Sequence, residues 1–203
     1  MALRAPSSRS SDGSTVSPVH VGPMRRRHLR SVLTIEQQVY TRPWTHGLFT
    51  SELSMRTARC YIVARVGSHV VGYSGLMFAP DEAHITTIAV DPSRHRQGLG
   101  THLMLSQTRV ARARGMTALT LEVRQSNTAA QEMYRRFGFA PVGVRRGYYR
   151  ESGEDALVMW VHDIDSAGYE RRLVDIAARL PSPTVLDPTL HAVVSHDAIG
   201  HDC

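Results

Sequence analysis

Residues Arg94–Gly100 read RHRQGLG and join two runs of opposite character. Upstream lies AHITTIAVDP (83–92), an apolar, β-branched run closed by Asp91-Pro92. Downstream lies THLMLSQTRVARARG (101–115), where Leu103, Met104, Gln107, Val110 and Ala111 share one helical face until Gly115 stops it. A strand therefore feeds a glycine turn that opens a helix. Gly98 and Gly100 put no Cβ between the backbone and a ligand. Amides at a helix start lack carbonyl partners and carry partial positive charge, so a diphosphate placed there needs little else. Arg94 and Arg96 add mobile charge. The stretch lacks the Lys-Ser/Thr of an ATP-binding loop, and its glycines are not spaced as in the dinucleotide fingerprint. Taken alone, it is equally a solvated, glycine-rich helix start.

The flanks supply the rest of a fold. TALTLEVR (117–124) alternates, with Leu119, Leu121 and Val123 on one face and Ala118, Thr120 and Glu122 on the other. Ser126 or Asn127 caps a helix over TAAQEMYRRF (128–137), whose Ala130, Met133, Tyr134 and Phe137 share a face. FAPVGVRR (139–146) and DALVMWVHD (155–163) read as the last two strands. Nearer the N-terminus, CYIVARV (60–66), a Gly67-Ser68 turn and HVVGYSGLMF (69–78) predict strand, tight turn, strand. HLRSVLTIEQQVY (28–40) has helical spacing, RPW (42–44) breaks it, and Thr45 caps a short second helix. The order predicts an α/β domain with a mixed sheet.

The chain has 203 residues, enough for one domain plus tails. Residues 1–17 are Ser-rich and expected to be disordered, 18–163 form the domain, and 164–203 form an extension that is partly helical. From Leu180 onward its prolines and lack of period predict a loose tail. The net charge is +6, and all 24 cations of the Lys/Arg class are arginine, which favours anionic partners without choosing among them. Cys60 and Cys203 lie far apart, so neither a disulfide framework nor a four-ligand zinc site is expected, and Cys60 reads as a buried thiol. His191, His196 and His201 do not share a helical face, and no metal is expected there. The start of the chain has no apolar signal core and no run approaches about 18 apolar residues. A cytoplasmic protein is expected, with no membrane partner.

IAVDPSRHRQGLGTHLM, LTLEVRQSNTAAQEMYRRFGF and GVRRGYYRESGEDALVM, in that order, resemble the GCN5-related N-acetyltransferase (GNAT) superfamily. More narrowly they resemble the bacterial ribosomal-protein-alanine N-acetyltransferases, over roughly residues 18–162. One position departs from the superfamily's loop: His95 stands where Gln or Arg is usual.

The resemblance implies a mostly antiparallel mixed sheet, flanked by helices, in which one parallel strand pair splays apart to hold acetyl-CoA as acetyl donor. The main chain of Ile88, Ala89 and Val90 would pair with the pantetheine arm and aim an N–H at the thioester oxygen. Arg96, Gln97, Gly98, Leu99, Gly100 and Thr101 would hold the diphosphate, and Asn127 would bond the cofactor from the next helix. Glu122 would be the general base, since an α-amine with a pKa of about 8 must lose a proton before it attacks. Its other reading is an acid paired with Arg124 or another arginine. Tyr134 would protonate the leaving thiolate, although its helical stripe equally suits core packing. Trp44, Tyr148 and Tyr149 would grip an acceptor peptide; Glu154-Asp155 either orient their hairpin by pairing with Arg146 or Arg150 or form a plain turn with exposed acids. The implied reaction is direct acetyl transfer, without a metal, to a protein N-terminus, an alanine of a ribosomal protein. Alternatives are acetylation of lysine side chains or small amines, or a non-catalytic module that binds RNA or the ribosome; nucleic-acid binding is not required by the leading reading.

Overall fold

The computed structural model describes residues 17–190. The Ser-rich stretch before them, the three C-terminal histidines and Cys203 lie outside the described residues. Among those described, eight strands form one sheet: β1 (Val19–Pro23), β2 (Arg59–Val66), β3 (His69–Phe78), β4 (Glu82–Val90), β5 (Ala118–Arg124), β6 (Ala140–Tyr149), β7 (Glu154–Val161) and β8 (Thr184–Leu186). Their order across the sheet is β6-β7-β5-β4-β3-β2-β1-β8. Only β4/β5 and β1/β8 are parallel. The five helices are α1 (Leu29–Val39), α2 (His46–Ser54), α3 (Leu99–Ala113), α4 (Thr128–Arg136) and α5 (Ala167–Ala178).

Local chemistry sets the ends of these elements. Thr45, Asn127 and Ser166 each accept a backbone N–H from three residues on, capping α2, α4 and α5. Gly67 turns the β2–β3 hairpin at φ +59°, where a side chain would be strained. The central strands bury both faces. Along β2, Cys60, Ile62 and Ala64 join a core shared with α3, α4 and α5, while Tyr61 and Val63 join a second core under α1 and α2. Helices thus cover both faces of the sheet.

The parallel pair is short. β4 and β5 are in register only from Glu82↔Ala118 to Ile85↔Leu121, and both then run on without pairing each other. The break coincides with a bulge: Gly75 of β3 faces Thr87 while Leu76 faces Ile85, leaving Thr86 as the extra residue. Gly75 makes room for it, since a Cβ there would stand 2.4 Å from the Tyr61 ring and 2.7 Å from Thr86 Oγ1. The predicted splay is therefore present, with a cause in the strand pairing.

At the sheet's two margins lie β8, three residues long, and β6, ten residues long and almost wholly exposed. β6 is irregular, with register breaks at Pro141/Gly143 and at Arg145/Tyr149.

Residues 180–190 of the tail expected to be loose are ordered. β8 pairs with β1, the Asp187 N–H donates to Val21 O (2.8 Å), and Leu190 is buried in the main core. Proline blocks helix but not a marginal strand, and a three-residue pairing has no period to detect. No helix among the described residues is long and apolar enough to cross a membrane.

Candidate active site

The divergence of β4 from β5 opens a cleft of about 410 Å³. Thr86–Ile88 form one wall and Leu121–Arg124 the other, with α1, Trp44 and the β6–β7 hairpin around the mouth. A larger cleft, about 910 Å³, lies where β2 begins, at the opposite end of the sheet from the Arg94–Gly100 turn. It contains none of the residues the resemblance singles out. Cys60 lines it, its thiol pushed up to about 12 by burial and so protonated and inert.

Glu122 faces the smaller cleft because Leu121 and Val123 on either side point into the core. Its carboxylate is held from two directions: Oε2 lies 3.0 Å from His84 Nε2 and Oε1 lies 3.2 Å from an Arg145 nitrogen. The bond from His84 does most to hold its pKa below the usual carboxylate range, and Arg145 adds to this. Glu122 is therefore ionised at neutral pH. Arg124, the pairing partner considered from sequence, turns elsewhere: it bonds Glu151, Glu154 (3.0 Å) and Ser152 (3.0 Å), and its guanidinium lies 3.8 Å over the Tyr149 ring. The hairpin is thus tied down by Arg124, not by Arg146 or Arg150. Glu154 also accepts the Ser126 N–H (2.8 Å), and Asp155 accepts the Gly147 N–H (2.8 Å).

Tyr134 projects from α4 into the same cleft and packs against Phe139, with ring centroids 5.9 Å apart. Burial raises its pKa, so the phenol keeps its proton. Trp44 packs at a tilt against Phe49 and Tyr61 beside the mouth. Tyr148 is exposed and meets Tyr149 edge-on at 5.2 Å, and both line the cleft. Burial pushes Tyr149 up to about 12.

The glycine stretch sits at the far end of β4. Arg96 (φ +60°) and Gly98 (φ +76°) are both left-handed, which folds the turn tightly over the start of α3. The first helical bond runs from the His102 N–H to Gly98 O (3.0 Å), so the amides of Gly98, Leu99, Gly100 and Thr101 precede the first carbonyl that could satisfy them. Leu99 is buried, so only its backbone can face a ligand, whereas Arg96 and Gln97 are exposed. A Cβ on Gly100 would stand 3.2 Å from Met133 Sδ of α4. The donor set and the absence of side chains at both glycines fit a diphosphate. Asn127 lines the cleft; its Oδ1 accepts the Ala130 N–H (3.1 Å), and its amide nitrogen has no partner among the described residues. Ile88, Ala89 and Val90 continue β4 past the bulge, unpaired on the β5 side.

Three side chains at the cleft escaped the sequence reading. His84 lies on β4 two residues before the bulge, and the register His84↔Thr120 brings it beside Glu122. Tyr40 donates to Ile88 O (3.1 Å), so a pantetheine amide would have to share that carbonyl. Glu36 is 2% exposed, and its Oε1 accepts the Trp44 N–H (2.8 Å). Alternation on β4 hints at His84. Glu36 and Tyr40 fall within an amphipathic stretch, and nothing in its period separates a site residue from a core one.

The profile of the Acetyltransferase (GNAT) family matches residues 29–139. A Bacillus subtilis protein provisionally named ribosomal protein bS18-alanine N-acetyltransferase is 40% identical over 138 residues, 68% of this chain and 91% of its own. The ribosomal protein bS18-alanine N-acetyltransferase of Escherichia coli K12 is 35% identical over 127 residues, 62% of this chain and 84% of its own. A crystal structure of the ribosomal-protein-S18-alanine N-acetyltransferase from Escherichia coli superposes with a TM-score of 0.66 at 31% identity, covering 71% of this chain and 94% of that one.

Proposed function

The chain belongs to the acetyltransferase (GNAT) family and is an acyltransferase, and on that premise we propose that it moves the acetyl group of acetyl-CoA directly onto the α-amine of a protein N-terminus. The acceptor is an N-terminal alanine of a ribosomal protein, as the names of its relatives suggest. The observation that carries the reading is the four-rung pairing of β4 with β5, beyond which Glu122 and Tyr134 face one cleft next to a helix start rich in free amides.

Acetyl-CoA supplies an activated acyl carbon. The amides of Gly98–Thr101 hold its diphosphate, with Arg96 and Gln97 outside them, and the backbone from Ile88 to Val90 offers strand-like bonds to the arm between. A fixed N–H on this strand stabilises the oxyanion that forms as the amine attacks. Glu122 alone is a weak base, because His84 and Arg145 stabilise its anion. It orients the His84 ring, and the ammonium proton leaves through this pair. As the carbon–sulfur bond breaks, the departing thiolate takes the phenolic proton of Tyr134. Trp44, Tyr148 and Tyr149 border the mouth, where an extended peptide end is gripped and its amine oriented.

Turnover of an Ala-starting peptide, compared with lysine side chains and small amines, tests the acceptor. Glu122→Gln and Tyr134→Phe should each slow transfer by about 10²–10⁴-fold while acetyl-CoA still binds. Unchanged rates in both would remove their roles. Preference for lysine or a small amine would move the acceptor, and absence of heat on mixing with acetyl-CoA would overturn the reading.

A further inference from the structure

The C-terminal segment 180–190 lies directly on the glycine turn. His102, fully buried in the first turn of α3, has both ring nitrogens engaged by this segment: Nδ1 is 2.7 Å from Thr184 Oγ1 and Nε2 is 3.3 Å from Ser182 Oγ. A neutral imidazole has one donor and one acceptor nitrogen, and a hydroxyl can meet either. The His102 backbone amide, in turn, holds Gly98 O. From outside, Pro181 Cδ and Leu180 Cδ2 stand 3.1 and 3.4 Å from where a Gly98 Cβ would be. The segment is itself pinned. The Val19 N–H donates to Pro183 O (3.0 Å), β8 pairs with β1, and Leu190 is buried at 3% exposure.

We infer that this segment is a brace for the diphosphate-binding turn, with Pro181 and Thr184 as positioning residues for the acetyl donor. The inference rests on the reading of Gly98–Thr101 as the diphosphate site. Glycine in a left-handed turn has wide backbone freedom, and a turn ordered before the ligand arrives loses less entropy on binding. Pro181 blocks outward movement of Gly98, and the Thr184–His102–Gly98 chain fixes the carbonyl that starts α3. Neither residue lines the β4/β5 cleft, so the brace acts on donor affinity and not on the chemical step.

Calorimetry with acetyl-CoA and steady-state kinetics on the full chain test this, with thermal melts to establish that each variant is folded. Thr184→Val removes the hydroxyl but keeps the β-branched shape; Thr184→Ser restores it; Pro181→Gly releases the turn without touching the core. Thr184→Val and Pro181→Gly should each weaken acetyl-CoA binding, and raise its KM, by roughly 5- to 30-fold, the equivalent of reordering one backbone residue. The peptide KM and kcat at saturating donor should stay within twofold, and Thr184→Ser should bind like the unaltered chain. Donor affinity unchanged in both weakened variants overturns the brace, as does a loss that falls on kcat or is not rescued by serine. Failure of the unaltered chain to bind acetyl-CoA overturns the functional reading instead, and the inference with it.

Discussion

Replacing Glu36 with glutamine should stabilise the protein relative to the unaltered chain by an amount that grows from about pH 4.5 to about pH 7 and then levels off. Glu36 is 2% exposed; its Oε1 takes the Trp44 N–H, while Oε2 is buried without a hydrogen-bond partner. Burial raises its pKa from 4.5 to about 7, against the opposing effect of the Trp44 bond. Between those two values the folded chain holds a proton that the unfolded chain has released, so stability falls as pH rises through this window and levels off above it. A shift of that size corresponds to about 3 kcal/mol. For a chain of this length that is roughly 6–12 °C in melting temperature. Glutamine still accepts from Trp44 but cannot ionise, so the part of the pH dependence that Glu36 contributes should vanish. Any fixed cost of burying its amide cancels when the two pH values are compared. Urea unfolding of both proteins across pH 4.5–8 measures the difference. A difference that stays constant with pH would refute the argument that desolvation of Glu36 lowers stability beside the cleft.

Gly75→Ala should destabilise the fold by about 1–3 kcal/mol, the usual cost of overpacking, because its Cβ would meet the Tyr61 ring and Thr86 Oγ1. It should also weaken acetyl-CoA binding by shifting the Thr86 bulge, which paired denaturation and calorimetry would show. Arg124→Gln removes the guanidinium that joins Glu151, Glu154 and Tyr149. It should raise the peptide KM several-fold with little change in donor affinity, and equal losses for both substrates would contradict that assignment.

Much of the architecture was legible because it is local. The period-2 run of β5, the 3.6-residue stripe of α3 and the caps at Thr45 and Asn127 each follow from a few neighbouring residues. So does the orientation of Glu122, which alternation turns away from Leu121 and Val123. What escaped depends on pairing between distant segments. His84 meets Glu122 only through the register of two strands separated by a whole helix. His102 reads as a polar residue beside an apolar helical face, yet it is buried, with Thr184 and Ser182 from beyond α5 meeting both ring nitrogens. The arginine that ties down the hairpin escapes for the same reason: Arg146 and Arg150 are nearer in sequence, but Arg124 is the one that reaches Glu151 and Glu154.

The sheet's two margins bear on how the protein behaves in a crowded solution. A long open strand is a template on which another chain can grow. At one margin β8 offers only three residues. At the other, the two breaks in the β6 ladder, Pro141 and the adjacent Arg145 and Arg146 interrupt any flat surface to which a foreign strand could bond. Distortions that curve the outer hairpin around the cleft therefore also discourage stacking of one copy upon the next, so an accessible mouth for peptides need not make the protein prone to fibril growth.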